Sequence, residues 1–376
     1  MKKKSLGELC DIVSGGTPSR SHIEYWDKGS IPWIKIGNIK GKYVSTSDEY
    51  ITQAGLDGSS AKMLPKGTLL YTIFATLGEV GILTIEACTN QAIAGISSKH
   101  NDEISTDFLY YYLKSKKSYV NKIGRGVAQN NINMSMLRAL EVPVPNIAEQ
   151  SRIVSVLDSV ASVVTIRQQQ LEKLDELVKA RFVEMFGEPC KNSLGWNTST
   201  VGALVSVCEA GWSGNGTQRK KEPGELAVLK VSAVTKGYFI PAECKVLDNQ
   251  RNIKKYIFPH SGDLLFSRAN TREMVGATAV ITQYYPEHIL PDKLWRIRFI
   301  DTANVIYMKY VLSDESIRSI FSSVSTGTSG SMFNVSMDKF KSITVPLPPL
   351  ERQTQFAAFV EQVDKSKLLP FFCSPI

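Results

Sequence analysis

Residues 142–154 read VPVPNIAEQSRIV, and residues 345–357 read VPLPPLERQTQFA. These segments are the clearest part of a repeat that runs through the chain and dictates two copies of one folding unit. LGELCDIVSGGTPSR from Leu6 resembles VGALVSVCEAGWSGNG from Val201, and IPWIKIGNIKGKYV from Ile31 resembles LAVLKVSAVTKGYF from Leu226. LPKGTLLYTIFATLGEVG from Leu64 lines up with FPHSGDLLFSRANTREMVG from Phe258, and NNINMSMLRALEVPVP parallels SMFNVSMDKFKSITVPLP. Each copy predicts short alternating strands, Gly-rich turns and one helical stretch, DFLYYYLKSKKSYVNKI or NVIYMKYVLSDESIRSIF. A final strand and the proline punctuation then close the copy.

The prolines read as helix grammar. Pro143, Pro145, Pro346 and Pro348 keep the chain extended, and Pro349 suits a first helical turn. From Glu149 a helix is predicted to run to Phe186, where Gly187 and Pro189 stop it, a length of ~57 Å at ~1.5 Å per residue. Ile153, Leu157, Val160, Val164, Arg167, Leu171, Leu174, Val178, Arg181 and Met185 alternate steps of four and three, the spacing of a coiled-coil seam. A second ridge, Val156, Val163 and Leu177, widens that face, so the helix is expected to meet more than one surface. The alternative is a helix buried in an ordinary core. The second helix starts in the same register with Phe356, Val360 and Val363, but Pro370 limits it to about Leu350–Leu368.

A chain of 376 residues is too long for one ordinary core and agrees with two domains plus connectors. No apolar run approaches a membrane span, and MKKKSLGELC lacks the apolar core of a signal peptide. The six cysteines (Cys10, Cys88, Cys190, Cys208, Cys244, Cys373) form no CxxC pair and are expected to be reduced core thiols of a cytoplasmic protein. Four histidines without HExxH spacing argue against a zinc site. The net charge of +8 sits on the repeats: seventeen basic against fourteen acidic residues in 1–150, and nineteen against fourteen in 187–348. The helical segments 151–186 and 349–376 are neutral. Such a basic excess is compatible with a polyanionic partner, and equally with charge that serves solubility.

Two divergent copies of a globular unit, each ending in P-x-x-x-Q and a long helix, resemble the specificity subunit of type I restriction–modification systems. The resemblance is carried by SGGTPSR, IPWIKIGNI, NQAIAGI, VPNIAEQSRIV…MF and PLPPLERQTQFAAFVEQVD, and covers about residues 5–366. It implies an α+β chain of two pseudo-symmetric α/β target-recognition domains joined by long antiparallel coiled-coil helices. The expected division is 1–145 for the first recognition domain, 146–188 for the first spacer helix, 189–348 for the second domain, and 349–376 for a truncated second helix and tail. It also implies a non-catalytic, cytoplasmic subunit that reads a split site in double-stranded DNA. In this family the helices dock two methylating subunits, which bind S-adenosylmethionine. Restriction subunits that use ATP and Mg join through the complex; this chain itself needs no cofactor, metal or membrane. The helix positions Ile153, Leu157, Val160, Val164, Leu171, Leu174 and Val178 are then the expected partner-binding face. The short second helix and the ending LLPFFCSPI depart from the family pattern, which leaves the packing of Leu171–Met185 and the second docking surface open.

A reader of DNA needs Arg or Lys for guanine edges, Asn or Gln for adenine, and basic side chains for phosphates. In the first copy KIGRGVAQNNIN offers Lys122, Arg125, Gln129, Asn130 and Asn131, and the segment WIKIGNIKGK offers Lys35, Asn38 and Lys40. In the second, FSRANTREM offers Arg268, Asn270 and Arg272, while GWSGNGTQRKK offers Gln218, Arg219, Lys220 and Lys221. STGTSGS, with Thr328 and Ser329, matches the position of GRGVAQ and has the small residues to cradle phosphate. KIGRGVAQNNIN also reads as a polar surface turn, Lys35, Asn38 and Lys40 as alternate residues of a strand that face solvent, FSRANTREM as loop drift, and GWSGNGTQRKK as a flexible loop of solvated charge.

Two other classes compete. An intrinsically active DNA methyltransferase needs an N/D-P-P-Y/F motif and a cofactor loop, but the chain has no Asn-Pro or Asp-Pro, and GWSGNG lacks a strand–GxGxxG–helix setting. A nuclease needs clustered carboxylates with a lysine, and the PDK of Pro291–Lys293 has no E-x-K downstream; GxSxG, HExxH and P-loop motifs are also lacking. A coiled-coil scaffold that ignores DNA would leave the duplicated basic units unexplained.

Overall fold

The computed structural model describes residues 2–124, 131–249, 254–324 and 333–368. Two compact units emerge, Met1–Arg167 and Gln168–Ile376.

In the first unit a five-stranded sheet has the spatial order Cys10–Ser14, Ile93–Ser98, Leu69–Thr72, Val80–Leu83, Tyr43–Val44. All its pairs are antiparallel except the last. The central strands LLYT and VGIL are buried at every position, which is why they are continuously apolar rather than alternating. One face, with Leu69, Tyr71 and Ile82, packs on Phe108, Leu109 and Leu113 of the helix Thr106–Ser115. The other face buries Leu70, Leu83 and Ile93 against Ile34 and Val44. A small sheet of Tyr50–Ile51, Ile31–Ile34 and Cys88–Thr89 closes over Trp33, Ile51 and Cys88.

The second unit repeats this plan. Its main sheet runs Val205–Ala210, Leu294–Phe299, Leu264–Ser267, Thr278–Val280, and its small sheet Gly216–Thr217, Cys244–Leu247, Ala227–Leu229, His288–Ile289. Each small sheet has its parallel pair at the equivalent place, Trp33 beside Cys88 and Val228 beside Ile289. Mixed, mainly antiparallel sheets with helices on one face make the α+β architecture that the family resemblance implies.

The hydrogen bonds refine one alignment. Gly78 N donates to Thr72 O at 3.0 Å and Gly276 N donates to Ser267 O at 2.9 Å. Gly276 therefore corresponds to Gly78, not to the Gly81 with which the aligned string ends. Both residues take positive φ, 79° and 83°, so the turn itself demands glycine there. The second unit simply carries a longer loop between Ser267 and Gly276.

Both terminal helices form. The first spans Ile147–Phe186, starting two residues before the expected Glu149, because Asn146 caps it by accepting from Glu149 N at 2.9 Å. The second spans Leu350–Leu368, with Pro349 just before its first turn rather than inside it. In the second unit the register differs from the heptad. Val178, Phe182 and Phe186 are the buried positions, while Arg181 is only half-buried and bonds Glu184 at 2.8 Å. A row at i, i+4, i+8 faces this core because Tyr307 and Tyr310 pack on the helix as well as Phe356, making a broader surface than a two-helix seam. Phe356 lies 5.6 Å from Phe186, and Lys367 bonds Asp175 at 2.7 Å, so the shorter helix runs back antiparallel along residues 175–186. Within Leu171–Met185, whose packing the sequence left open, Leu174, Val178, Phe182 and Met185 are thus covered, while Leu177 and Val183 stay about half exposed.

The thiols differ in part from expectation. Cys10 and Cys88 are buried, and burial pushes them up to about 12 and about 11 respectively, but Cys190 is exposed. Cys373 lies outside the described residues.

Candidate nucleic-acid interface

In each unit the fold gathers three loops at the end of the central strand. Ile132 N donates to Ile73 O at 3.1 Å, and Phe74 bridges Asn131; equivalently, Val335 N donates to Arg268 O at 2.9 Å, and Ala269–Asn270 pairs with Phe333–Asn334. The loop after the central strand is thereby stitched to the segment that precedes the last short helix. A third loop enters through glycine. A Cβ on Gly15 would stand 2.2 Å from Asn90 O, and one on Gly211 would stand 1.9 Å from Leu290 O, so only glycine lets the backbone turn there. That turn sets Thr17 Oγ1 to donate to Gln91 Oε1 in one unit and Ser213 Oγ to donate to Asp292 Oδ1 in the other.

The second unit adds an arginine to this arrangement. Arg268 Nε donates to Asp292 O at 2.8 Å, and Arg268 Nη2 stands 3.5 Å from Asp292 Oδ2. The corresponding residue of the first unit is Ile73, which is buried. Asn270 Oδ1 accepts from Thr271 N at 2.9 Å, and Arg272 on the same loop is exposed. In the first unit Thr17 and Gln91 are exposed, and Phe74 is 37% exposed beside Asn131.

The remaining candidates scatter. Lys35 and Asn38 belong to a tight turn, Ile36–Asn38, rather than to the strand: Asn38 Oδ1 accepts from Lys35 N at 2.8 Å, and Asn38 Nδ2 donates to Asp48 at 3.0 Å. The Lys35 ammonium pairs with Glu49, and that hydrogen bond, with Arg20 assisting, holds the Glu49 carboxyl below the usual carboxylate range. Lys40 and Lys122 are exposed. The basic loop of the second unit is more ordered than its composition implied. Arg219 makes a bidentate pair with Glu225 at 2.8 and 2.6 Å, pushing that carboxyl down to about 2, and Lys221 pairs with Glu287. Gln218 and Lys220 are exposed. Arg125, Gln129, Asn130, Thr328 and Ser329 lie outside the described residues. Sequence reasoning passed over Thr17 and Gln91, and took Asp292 only as a nuclease candidate. Placing the two repeats in register and asking which polar residues differ would have found them.

The expected partner face divides in two. Val178 is 1% exposed in the core of the second unit, and Leu174 packs against that core, so neither is a free docking position. Leu171 is half-buried, and Ile153 packs on the core of the first unit. The open stretch is Val156–Ile166, where Leu157, Val160 and Val164 join Val156, Val163 and Ile166 with exposures from 37% to 63%. Among the described residues no cluster of three or more His, Cys, Asp or Glu could hold a metal, and no helix is long and apolar enough to cross a membrane.

Two equivalent modules that present different polar residues on the same three loops define a duplicated-domain protein with one polar loop cluster in each copy. The profile of the type I restriction modification DNA specificity domain matches twice, over residues 1–176 and 194–369, and the chain belongs to that family. It is 30% identical to the type I restriction enzyme MjaIX specificity subunit of Methanocaldococcus jannaschii over 294 residues, 70% of this chain and 66% of that one. The chain therefore matches just under two thirds of that relative's length. With the EcoKI specificity subunit of Escherichia coli K12 it shares 24% identity over 95% of its own length and 81% of the relative's. The crystal structure of the S subunit from M. genitalium superposes with a TM-score of 0.53 at 14% identity, covering 97% of this chain and 90% of that one, a likeness of fold.

Proposed function

We propose that this chain is the non-catalytic, sequence-specificity subunit of a type I restriction–modification complex. Each unit reads one half of a split site in double-stranded DNA, and the first long helix serves as spacer between the readers. The observation that carries this reading is the pair of equivalent loop clusters. One frame holds Thr17, Gln91 and Ile73 in one copy and Ser213, Asp292 and Arg268 in the other, which is what two readers of different half-sites require. Base edges in the major groove are distinguished by such amide, carboxylate and guanidinium groups.

The exposed stripe Val156–Ile166 is the surface on which two methylating subunits are expected to dock, and restriction subunits join through them. The methylating subunit brings S-adenosylmethionine, the motor–nuclease subunit brings ATP and Mg, and this cytoplasmic chain brings sequence choice alone. Methylome sequencing of cells expressing the chain with its methylating partner tests the reading. A bipartite methylated motif is expected. Methylation of DNA by the purified chain alone, with labelled S-adenosylmethionine, would overturn it.

A further inference from the structure

The PDK motif found no role in the sequence, yet its aspartate sits at the centre of the second loop cluster. Asp292 N donates to Ser213 Oγ at 3.2 Å, Ser213 Oγ donates back to the carboxylate, and Arg268 reaches both the backbone carbonyl and Oδ2 of the same residue. Both charged side chains remain open to solvent, Arg268 at 30% and Asp292 at 45%. Two of the five N–H donors of the guanidinium are turned to Asp292, which fixes the plane of the group and leaves three donors uncommitted to that residue. A surface ion pair adds little stability. Its consequence here is orientation.

The equivalent position in the first unit carries Gln91, held by Thr17 as Asp292 is held by Ser213. Strand register proves the equivalence: Thr72 pairs with Ile93 as Ser267 pairs with Leu294, so Gln91 and Asp292 each stand two residues before the matching strand residue. Because the buried Ile73 stands where the second unit has Arg268, the first unit offers the Gln91 amide at this place.

We infer that Gln91 reads an adenine in the half-site of the first unit and Arg268, positioned by Asp292, reads a guanine in the half-site of the second. A carboxamide offers the donor and acceptor that match adenine N7 and N6, and a guanidinium offers the two donors that match guanine O6 and N7. Thr17, Ser213 and Asp292 are positioning residues: they hold the reading group in one rotamer before DNA arrives. The inference rests on the specificity-subunit reading and assigns its base-reading side chains.

The test uses the full chain assembled with its methylating subunit, scored on a library of duplexes randomised at each half-site. Gln91→Ala is expected to relax one A·T position in the first half-site by about 5- to 150-fold, the range for one bidentate base contact, and to leave the second half-site unchanged. Arg268→Gln is expected to relax one G·C position in the second half-site only. Asp292→Asn is expected to weaken discrimination at that same position by a smaller factor, while the slope of affinity against salt stays as in the wild type. Unaltered preferences in Gln91→Ala, or in Arg268→Gln with its fold confirmed by circular dichroism, would overturn the inference. So would a uniform loss of affinity with a shallower salt slope, the signature of phosphate contacts. A wild-type complex without sequence preference would instead overturn the specificity-subunit reading itself.

Discussion

Gln150 and Gln353 are fully buried and make the same hydrogen bonds in the two units. Gln150 Oε1 accepts from Ser105 N at 2.9 Å, and its Nε2 donates to Glu103 O at 2.8 Å and Pro145 O at 2.9 Å. Gln353 Oε1 accepts from Asn304 N at 2.8 Å, and its Nε2 donates to Thr302 O at 3.1 Å and Pro348 O at 2.8 Å. Each amide ties the cap of one helix to the first turn of another, so the start of each long helix is fixed on the core of its own unit. This is the physical content of the repeated proline–glutamine motif.

Replacing either glutamine by leucine should be among the most damaging single changes in its unit. It leaves one backbone N–H and two carbonyls without their buried partner, a loss of about 3 kcal/mol or more at about 1–3 kcal/mol per orphaned group. Urea unfolding of the full chain, followed by tryptophan fluorescence, measures it. A midpoint unchanged in Gln150→Leu would show that water replaces the amide.

The first long helix should respond differently along its length. Phe182→Ala removes a ring packed within 6.0 Å of Phe186, Tyr307, Tyr310 and Phe356, and a loss of about 3–5 kcal/mol is expected. Val156→Lys with Val163→Lys, both 58% exposed, should leave the unfolding midpoint within about 0.5 kcal/mol of wild type. The same pair should weaken binding to the methylating subunit about tenfold or more. Calorimetric titration with that subunit checks this, and undiminished affinity would move the docking surface elsewhere.

Lys42 anchors the helix where it leaves the first unit, with Nζ 2.7 Å from Asp107 and 2.6 Å from Asp158, to which Tyr111 also donates. Hydrogen bonds from Lys42 first and Tyr111 second hold Asp158 below the ordinary carboxyl value of 3.8. Partial burial lowers the Lys42 ammonium, but its bonds to Asp107 and Asp158 outweigh that, and it ends above the ordinary 10.5. A depressed carboxyl stabilises above its unfolded value and loses that as pH falls through the folded one; a raised ammonium stabilises until pH climbs through its folded value. The stability gap between wild type and Asp158→Asn should therefore stay constant between about pH 5 and pH 9 and shrink below about pH 4. Urea midpoints across that range measure it, and a gap that grows on acidification would refute the anchor.

Exchanging residues 1–145 for the same segment of another family member should change one half of the methylated motif and leave the other half intact. Affinity for DNA should fall steeply with salt, since phosphate contacts supply most of the binding free energy of such readers. Electrophoretic mobility shifts at about 50 and 200 mM salt are sufficient, and an affinity indifferent to salt would count against a DNA-reading interface.

Much of the architecture was legible because it is local and stated twice. A helix end is written in neighbouring residues, as in Gly187, which stops the first long helix at Phe186, and the repeat repeats the strand pattern 203 positions on, from Val142 to Val345. The burial of the long helix was not legible. Its apolar rows continue from Ile153 to Phe186, and only the arrival of Tyr307, Tyr310 and Phe356 decides that Val178, Phe182 and Phe186 are covered while Val156–Ile166 stay open. Nor was the loop cluster legible, because it joins residues 74 positions apart at Thr17 and Gln91, and 79 apart at Ser213 and Asp292. The sequence by itself determined two copies of one unit and the helix that follows each, since hydrophobic period, caps and prolines act over a few residues. Tertiary structure alone decided which polar side chains share an edge and which apolar face stays uncovered, since both depend on backbone that folds back from far along the chain.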